Sequence, residues 1–169
     1  FNRRAPFYDC RRLKKAVLEE GITDLPGLFF CGCDSLKDIT FPSTLEHIGS
    51  RLLSTRLERT EDGKDIHHLV PWAEAQPEGV LYLGKVAYNY IGTLPDGSEI
   101  TFKPGTTCIH TELFYKPELD RYLCNYKHLG NELTLRIPSS VKYIQMPFQD
   151  NDQFKFVLEE GNPYFRDNG

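Results

Sequence analysis

In the stretch LKDITFPSTLEHIG (36–49) the apolar residues are Leu36, Ile39, Phe41, Leu45 and Ile48, separated by 3, 2, 4 and 3 residues. A half-buried strand alternates with period 2 and an amphipathic helix returns at 3, 4, 7 and 8, so neither template covers the run. With Ile39 as position 0, the apolar residues stand at 0, 2, 6 and 9. The same ruler fits Ala16, Leu18, Ile22 and Leu25; Ile100, Phe102, Thr106 and Ile109; and Leu135, Ile137, Val141 and Ile144, with Ala16 and Thr106 the weak members. A fifth copy keeps Phe156, Leu158 and Phe165 but places Asn162 at position 6. Positions 0 and 2 share one face of a short strand. Pro42 and Pro138 at position 3 end it, because proline cannot donate to a ladder. Positions 6 and 9 then need a turn before them, so each copy is a bend with an inside.

The first two copies lie 23 residues apart, and PFYDCRRL (6–13) aligns with FFCGCDSL (29–36) at the same offset, matching Phe7 to Phe30, Cys10 to Cys33 and Leu13 to Leu36. That period falls among leucine-rich repeats. A lone coil buries four to six apolar side chains at ~1.5–3 kcal/mol each. Ordering its backbone costs ~1–2 kcal/mol per residue, so coils persist only when stacked. The spacing predicts a repeat solenoid of α/β type, with mostly short parallel strands, turns and short helical segments. It then breaks: Ile39 to Ile100 is a coil plus 38 residues, and Ile100 to Leu135 a coil plus 12.

The longer insertion (54–99) divides in two. Residues 54–79 are charged, with an Asp62-Gly63 turn, Pro71 and Pro77, and are predicted to be mostly loop with a short helical turn near Pro71–Ala75. Residues 79–102 alternate with period 2 on either side of Gly84-Lys85, which predicts an inserted β-hairpin, and Asp96-Gly97 turns the chain back toward the ladder.

The ruler resembles LxxIxIPxxVxxIGxxAFxxC of BspA-like leucine-rich-repeat (LRR_5 type) proteins, a bacterial surface family; LKDITFPSTLEHIG, LRIPSSVKYI and the FFCGC tail fit it. PWAEAQPEGVLYLGKVAYNYIGTLPDGSEITFKPGTTCI (71–109) is similar to the tryptophan-containing hairpin insertion of such proteins, and VLEEGNPYF (157–165) to their VxxGNPxY phrase. Residues 54–70 and 110–132 depart from the pattern. The resemblance implies a curved right-handed solenoid at the outer surface of a bacterium, used extracellularly for adhesion or binding of a protein or glycan, without catalysis. It carries over no binding residue, since the repeat motif marks core positions. One leucine-rich-repeat domain is expected over 1–169, with the ladder near 13–53, 100–109 and 133–169. An opening in the tail of a coil and a close just after a strand phrase are what a fragment of a longer solenoid would show.

Composition changes this picture little. The 169 residues are 40% hydrophobic and 26% charged, with a net charge of −4 that argues against nucleic acid as the main partner. Residues 1–15 carry a local charge of +5, a solvated rim or an anionic contact surface. No apolar run is long enough to suggest direct membrane insertion, and the N-terminus lacks the apolar core and cleavage site of a signal peptide. The odd set Cys10, Cys31, Cys33, Cys108 and Cys124 lacks zinc-pair spacing and reads as core packing.

Enzyme signatures such as GxSxG, HExxH and GxxxxGK[ST] are absent, and no cofactor is implied. The alternative of a hydrolase site in 54–79 rests on Asp65, His67 and His68, although adjacent histidines diverge. Gln149-Asp150-Asn151-Asp152 lacks the glycine and distant glutamate of a calcium loop. Two surfaces remain as candidates. The outward strand positions include Lys15, Asp38, Thr40, Lys103, Thr134 and Arg136, a strip that is either solvated or ligand-binding. The hairpin contributes Trp72, Tyr88 and Tyr90, aromatics that suit either core packing or ligand contact.

Overall fold

The computed structural model describes residues 5–59, 61, 65–93, 97–116, 121–122, 133–145 and 154–165. Each of the first four coils contributes two short strands. The N-terminal pair of coils supplies β1 (Lys15–Val17) with β2 (Asp24–Leu25), then β3 (Asp38–Thr40) with β4 (His47–Ile48). β1 pairs parallel with β3 and β2 with β4, setting Ala16 beside Ile39 and Leu25 beside Ile48. The ruler of positions 0 and 9 is therefore the hydrogen-bonded register itself.

The insertion follows as β5 (Ser54–Arg59), β6 (Asp65–Leu69), α1 (Pro71–Glu74), β7 (Gly79–Leu83) and β8 (Val86–Ile91). The three C-terminal coils supply β9 (Glu99–Thr101) and β10 (Cys108–Ile109), β13 (Leu133–Ile137) and β14 (Tyr143–Ile144), and β15 (Phe154–Leu158). A 3-10 turn at Thr111–Phe114 and an antiparallel pair, β11 (Tyr115–Lys116) with β12 (Arg121–Tyr122), stand between β10 and β13. β13 sits between β9 and β15 in parallel pairing, with Leu135 beside both Ile100 and Phe156. The whole is a parallel-stranded leucine-rich-repeat-type solenoid with short helical segments and an inserted β-hairpin.

The segment 54–79 departs from its expectation as mostly loop. β5 and β6 form an antiparallel ribbon with a register shift between Ser54 and Leu57. The symmetric placement of two β-compatible runs around Asp62-Gly63 carried that signal; the turn itself lies outside the described residues. The short helix appears where proline allows it, since Pro71 at the first helical position lacks only an N–H that would go unpaired there.

The β7–β8 hairpin is not an appendage. Its strand β8 continues the second ladder of the solenoid, pairing parallel with β10, which in turn pairs with β14. Lys85 N–H donates to Leu45 O at 2.9 Å, joining the hairpin turn to the preceding coil. Gly84 makes this seat possible: its φ is +59°, and a Cβ there would stand 2.7 Å from Leu45 Cβ and from Pro42 O. The two faces of the hairpin serve two cores. Leu81, Leu83, Val86 and Tyr88 pack with the N-terminal coils, while Val80, Tyr82, Ala87 and Tyr90 pack with the C-terminal coils. As far as Tyr88 the alternation read from the sequence is thus an alternation between two hydrophobic interiors; the register shift between Leu81 and Tyr82 then breaks it, so that Tyr90 faces the other core from Tyr88.

Within the N-terminal core, Phe7 stacks on Phe30 at 5.7 Å, as their shared repeat position predicts, and the contacts run on through Phe41 to Trp72 at 5.4 Å. Where the first two coils meet just after β2 and β4, Gly49 is obligatory. A Cβ on it would lie 2.1 Å from Gly27 N, closer than any side chain permits. Cys33 and Cys108 are buried and their thiols are pushed up to about 11 by that burial; Cys33 Sγ donates to Phe7 O at 3.2 Å. Among the described residues Cys10, Cys31, Cys33 and Cys108 are free thiols that pack rather than bridge.

The fifth copy also explains its irregularity. Asn162 at position 6 donates through Nδ2 to Pro138 O at 3.1 Å and accepts from Tyr164 N and Phe165 N at 2.8 and 2.9 Å. An amide thus replaces an apolar contact and fixes the bend by hydrogen bonds. Elsewhere the bends are held by carboxylates. Glu20 accepts from Ser43 N and Oγ, and Glu159 accepts from Ser139 N, which holds both carboxyls below the usual range.

Candidate binding surface

The outward strand row falls into two strips, because β1–β3 and β9–β13–β15 are separate sheets. On the N-terminal strip, Lys15 and Asp38 stand side by side in register and their side chains pair at 2.6 Å. Val17 and Thr40 are exposed beside them, Val17 at 60%. Opposite charges at neighbouring cross-strand positions stabilise the ladder modestly and leave the strip close to neutral.

On the C-terminal strip Glu99, Thr134 and Lys155 form one row, and Thr101, Arg136 and Val157 the next. Arg136 meets Glu99 diagonally as a two-pronged fork, one prong being Nη2 to Oε2 at 3.1 Å. The fork raises the guanidinium pKa and lowers that of the carboxyl. Thr134 is only partly exposed, flanked by its neighbours. Lys103 is not a free cation on this face. Its Nζ lies 4.0 Å from the centroid of the Tyr82 ring, its N–H donates to Tyr82 Oη at 3.0 Å, and burial lowers its pKa.

Beside this strip lies a half-open groove of about 500 Å³. Phe102 and Ile137 form an apolar floor, Pro104 and Pro138 shape one side, and Arg136 and Glu159 supply charge at the margins. The groove follows directly from the ruler. Positions 1 of three stacked coils give Thr101, Arg136 and Val157, and positions 3 to 5 give the proline and serine bends, so stacking turns scattered residues into one concave surface. Glu159 was read from the sequence as an outward strand-face residue, whereas Pro104, Ser139 and Ser140 were not singled out. Their signal was the recurrence of proline, serine and glycine just after position 2.

The hairpin candidates separate by burial. Tyr88, a ligand-surface candidate that the sequence left open to core packing as well, is fully buried and is corrected to a core residue: Leu53 N–H donates to its Oη at 3.3 Å, and burial raises its pKa well above the ordinary value. The reason is that β8 is a central strand with both faces covered. Tyr90 is half-buried against the C-terminal core and Trp72 half-buried against the N-terminal one, where Trp72 N–H also donates to Leu36 O at 2.9 Å. Trp72, Tyr88 and Tyr90 therefore do not converge on one patch with the strand residues.

The enzyme alternative gains nothing from the fold. Exposed His68 Nδ1 lies 3.7 Å from Glu74 Oε1, and the side chains of Asp65 and His67 lie outside the described residues, as does the 149–152 turn. Among the described residues no group of three or more His, Cys, Asp or Glu side chains could hold a metal ion, and no helix is long and apolar enough to cross a membrane.

Residues 3–61 match the family described as BspA type leucine rich repeat region, six copies. The match covers the N-terminal coils and the start of the insertion, and ends before the hairpin and the groove-bearing coils. No curated protein and no solved structure matches the chain.

Proposed function

We propose that this chain is a noncatalytic binding module, acting at a bacterial cell surface in adhesion or capture of an extracellular protein or glycan, and that the groove beside β9, β13 and β15 receives the ligand. The observation that carries this reading is the groove itself. It joins an apolar floor to a margin of hydroxyls and one ion-paired arginine, the composition of a site that recognises shape and a few polar groups. The match of residues 3–61 to a repeat of BspA type supports the interaction role, and the resemblance of the hairpin and closing phrase supports the surface location.

The test is a binding screen of the protein against extracellular proteins and glycans, repeated with Val157→Arg, which fills the groove from a half-exposed position. A ligand whose affinity falls at least about tenfold, on the order of 1.4 kcal/mol, with thermal stability kept, supports the reading. A ligand bound equally well by the variant places recognition elsewhere and overturns it.

A further inference from the structure

Where the N-terminal coils meet the C-terminal ones, a buried polar cluster reaches across the boundary. His110 follows position 9 of its coil, where the first two coils have Pro26 and Gly49. Its Nε2 lies 3.1 Å from Ile48 O, and its Nδ1 accepts from Glu112 N–H at 3.1 Å. A carbonyl needs a donor and an amide needs an acceptor, so only the neutral ring with its proton on Nε2 satisfies both. Two further bonds tie segment 51–53 to the same cluster: Arg51 N–H donates to Glu112 Oε1 at 3.2 Å, and Leu53 N–H to Tyr88 Oη at 3.3 Å. Arg51 holds a left-handed backbone, with φ at +57°, as does Leu28 at the equivalent position of the preceding coil, with φ at +63°.

We propose that His110 is an acid-sensitive latch between the two halves of the solenoid, and that protonation of its ring releases segment 48–53 from the 3-10 turn while the parallel ladders within each half stay paired. Protonation places a second N–H on Nδ1, facing the Glu112 amide, so a hydrogen bond becomes a donor–donor clash inside a site with no exposed surface. The titratable and charged groups of the cluster are Tyr88, whose ring centroid is 5.2 Å from that of His110, Glu112 on the 3-10 turn, and, one contact further out, Arg51 beside Glu112 and Cys31 near Tyr88.

Burial holds the His110 pKa down to about 4, against 6.5 in an unfolded chain. Between those values the open state takes up a proton that the closed state refuses, so the closed joint weakens as pH falls from 6.5 through 4. Glu112 acts in the opposite sense. Burial raises its carboxyl pKa, so the closed joint accepts that proton more readily and gains as pH falls, until the carboxyl is fully protonated. A protonated carboxyl can still accept from Arg51 N–H through its carbonyl oxygen, but it offers no charge to an imidazolium.

Hydrogen exchange followed segment by segment from pH 7 to 4, corrected for intrinsic rates, tests the latch on the whole protein. Protection of the Arg51, Leu53 and Glu112 amides, which are bonded to Glu112, Tyr88 and His110, is expected to fall at least about tenfold toward pH 4, with 15–17, 38–40, 133–137 and 154–158 unchanged. His110→Gln retains a donor and an acceptor without a titrating ring and is expected to abolish the fall. Glu112→Gln is expected to keep or deepen it. Joint protection that is constant in the wild type, loss in all segments together, an undiminished fall in His110→Gln, or a fall abolished by Glu112→Gln would each overturn the proposal. If His110→Gln fails to fold, the imidazole nitrogen shifts of the wild type decide: a ring that stays neutral below pH 6 and titrates with the opening supports the latch, and one that titrates near 6.5 with the joint closed refutes it.

Discussion

The outward strand strips and the inserted hairpin both offered alternating polar and aromatic residues, yet they ended in opposite environments. On the strips the residues between core positions reach solvent, and their charges pair with neighbours in the same or the adjacent row, as Lys15 with Asp38 and Arg136 with Glu99. In the hairpin the same period-2 alternation has no solvent side, because one face meets each core. Alternation reports that two faces differ; what covers each face depends on the elements placed against it. A hairpin inserted between coils becomes a wall, and strands at the surface become a platform.

The contrast can be broken most strongly at Tyr88. Tyr88→Ala removes a large, fully buried side chain from the wall and is expected to cost ~3–5 kcal/mol in chemical denaturation, enough to consume much of a domain's stability. Tyr88→Phe keeps the ring but removes the hydroxyl that accepts from Leu53 N–H, so a loss of about 1–2 kcal/mol is expected from the same measurement. A value for Phe near that for Ala would mean that the hydroxyl, rather than packing, holds the wall in place.

An intermediate effect is expected at the last coil. Asn162→Ala removes three hydrogen bonds at one bend and is expected to cost about 1–2 kcal/mol, with faster hydrogen exchange confined to 154–165. Asn162→Leu restores the apolar residue of the ruler but not those bonds. Failure of Leu to rescue would show that this coil is closed by polar capping, in contrast to the apolar bend of its neighbours.

The smallest effects belong to the strips. Thr40→Lys and Thr101→Lys place a charge on exposed strand positions, and each is expected to change stability by less than about 0.5 kcal/mol in thermal unfolding. If the groove receives the ligand, Thr101→Lys weakens binding while Thr40→Lys, on the other strip, does not. Equal effects of the two on affinity would remove the distinction between the strips.

The ladder was legible because stacking is a nearest-neighbour problem. Side chains at positions 0 and 9 must face their equivalents in the next coil, so the spacing of Ala16 and Ile39, or Leu135 and Phe156, already contains the register. The hairpin turn at Gly84-Lys85 was legible for the same local reason. The β5–β6 ribbon was missed since its polar strands carry little hydrophobic signal, and β8 was missed as a member of the ladder because its alternation read as a hairpin, although it stands about one repeat period before its partner β10. Among the site residues, exposure of Asp38 and Thr40 followed from alternation alone. The burial of Tyr88 and the capture of Lys103 by Tyr82 depended on which elements the hairpin touches.

By itself, the sequence determined the coil: which side chains face inward, where proline ends the strand, and that copies must stack to bury enough apolar surface. Only the tertiary structure decided that the insertion divides the interior into two cores, that the groove forms where three coils align their bends, and that His110 meets Ile48 across the boundary. The physical reason is range. Periodicity records what each residue needs from its immediate neighbours, whereas contacts across an insertion depend on how separately specified pieces fit together, and no spacing along the chain encodes that fit.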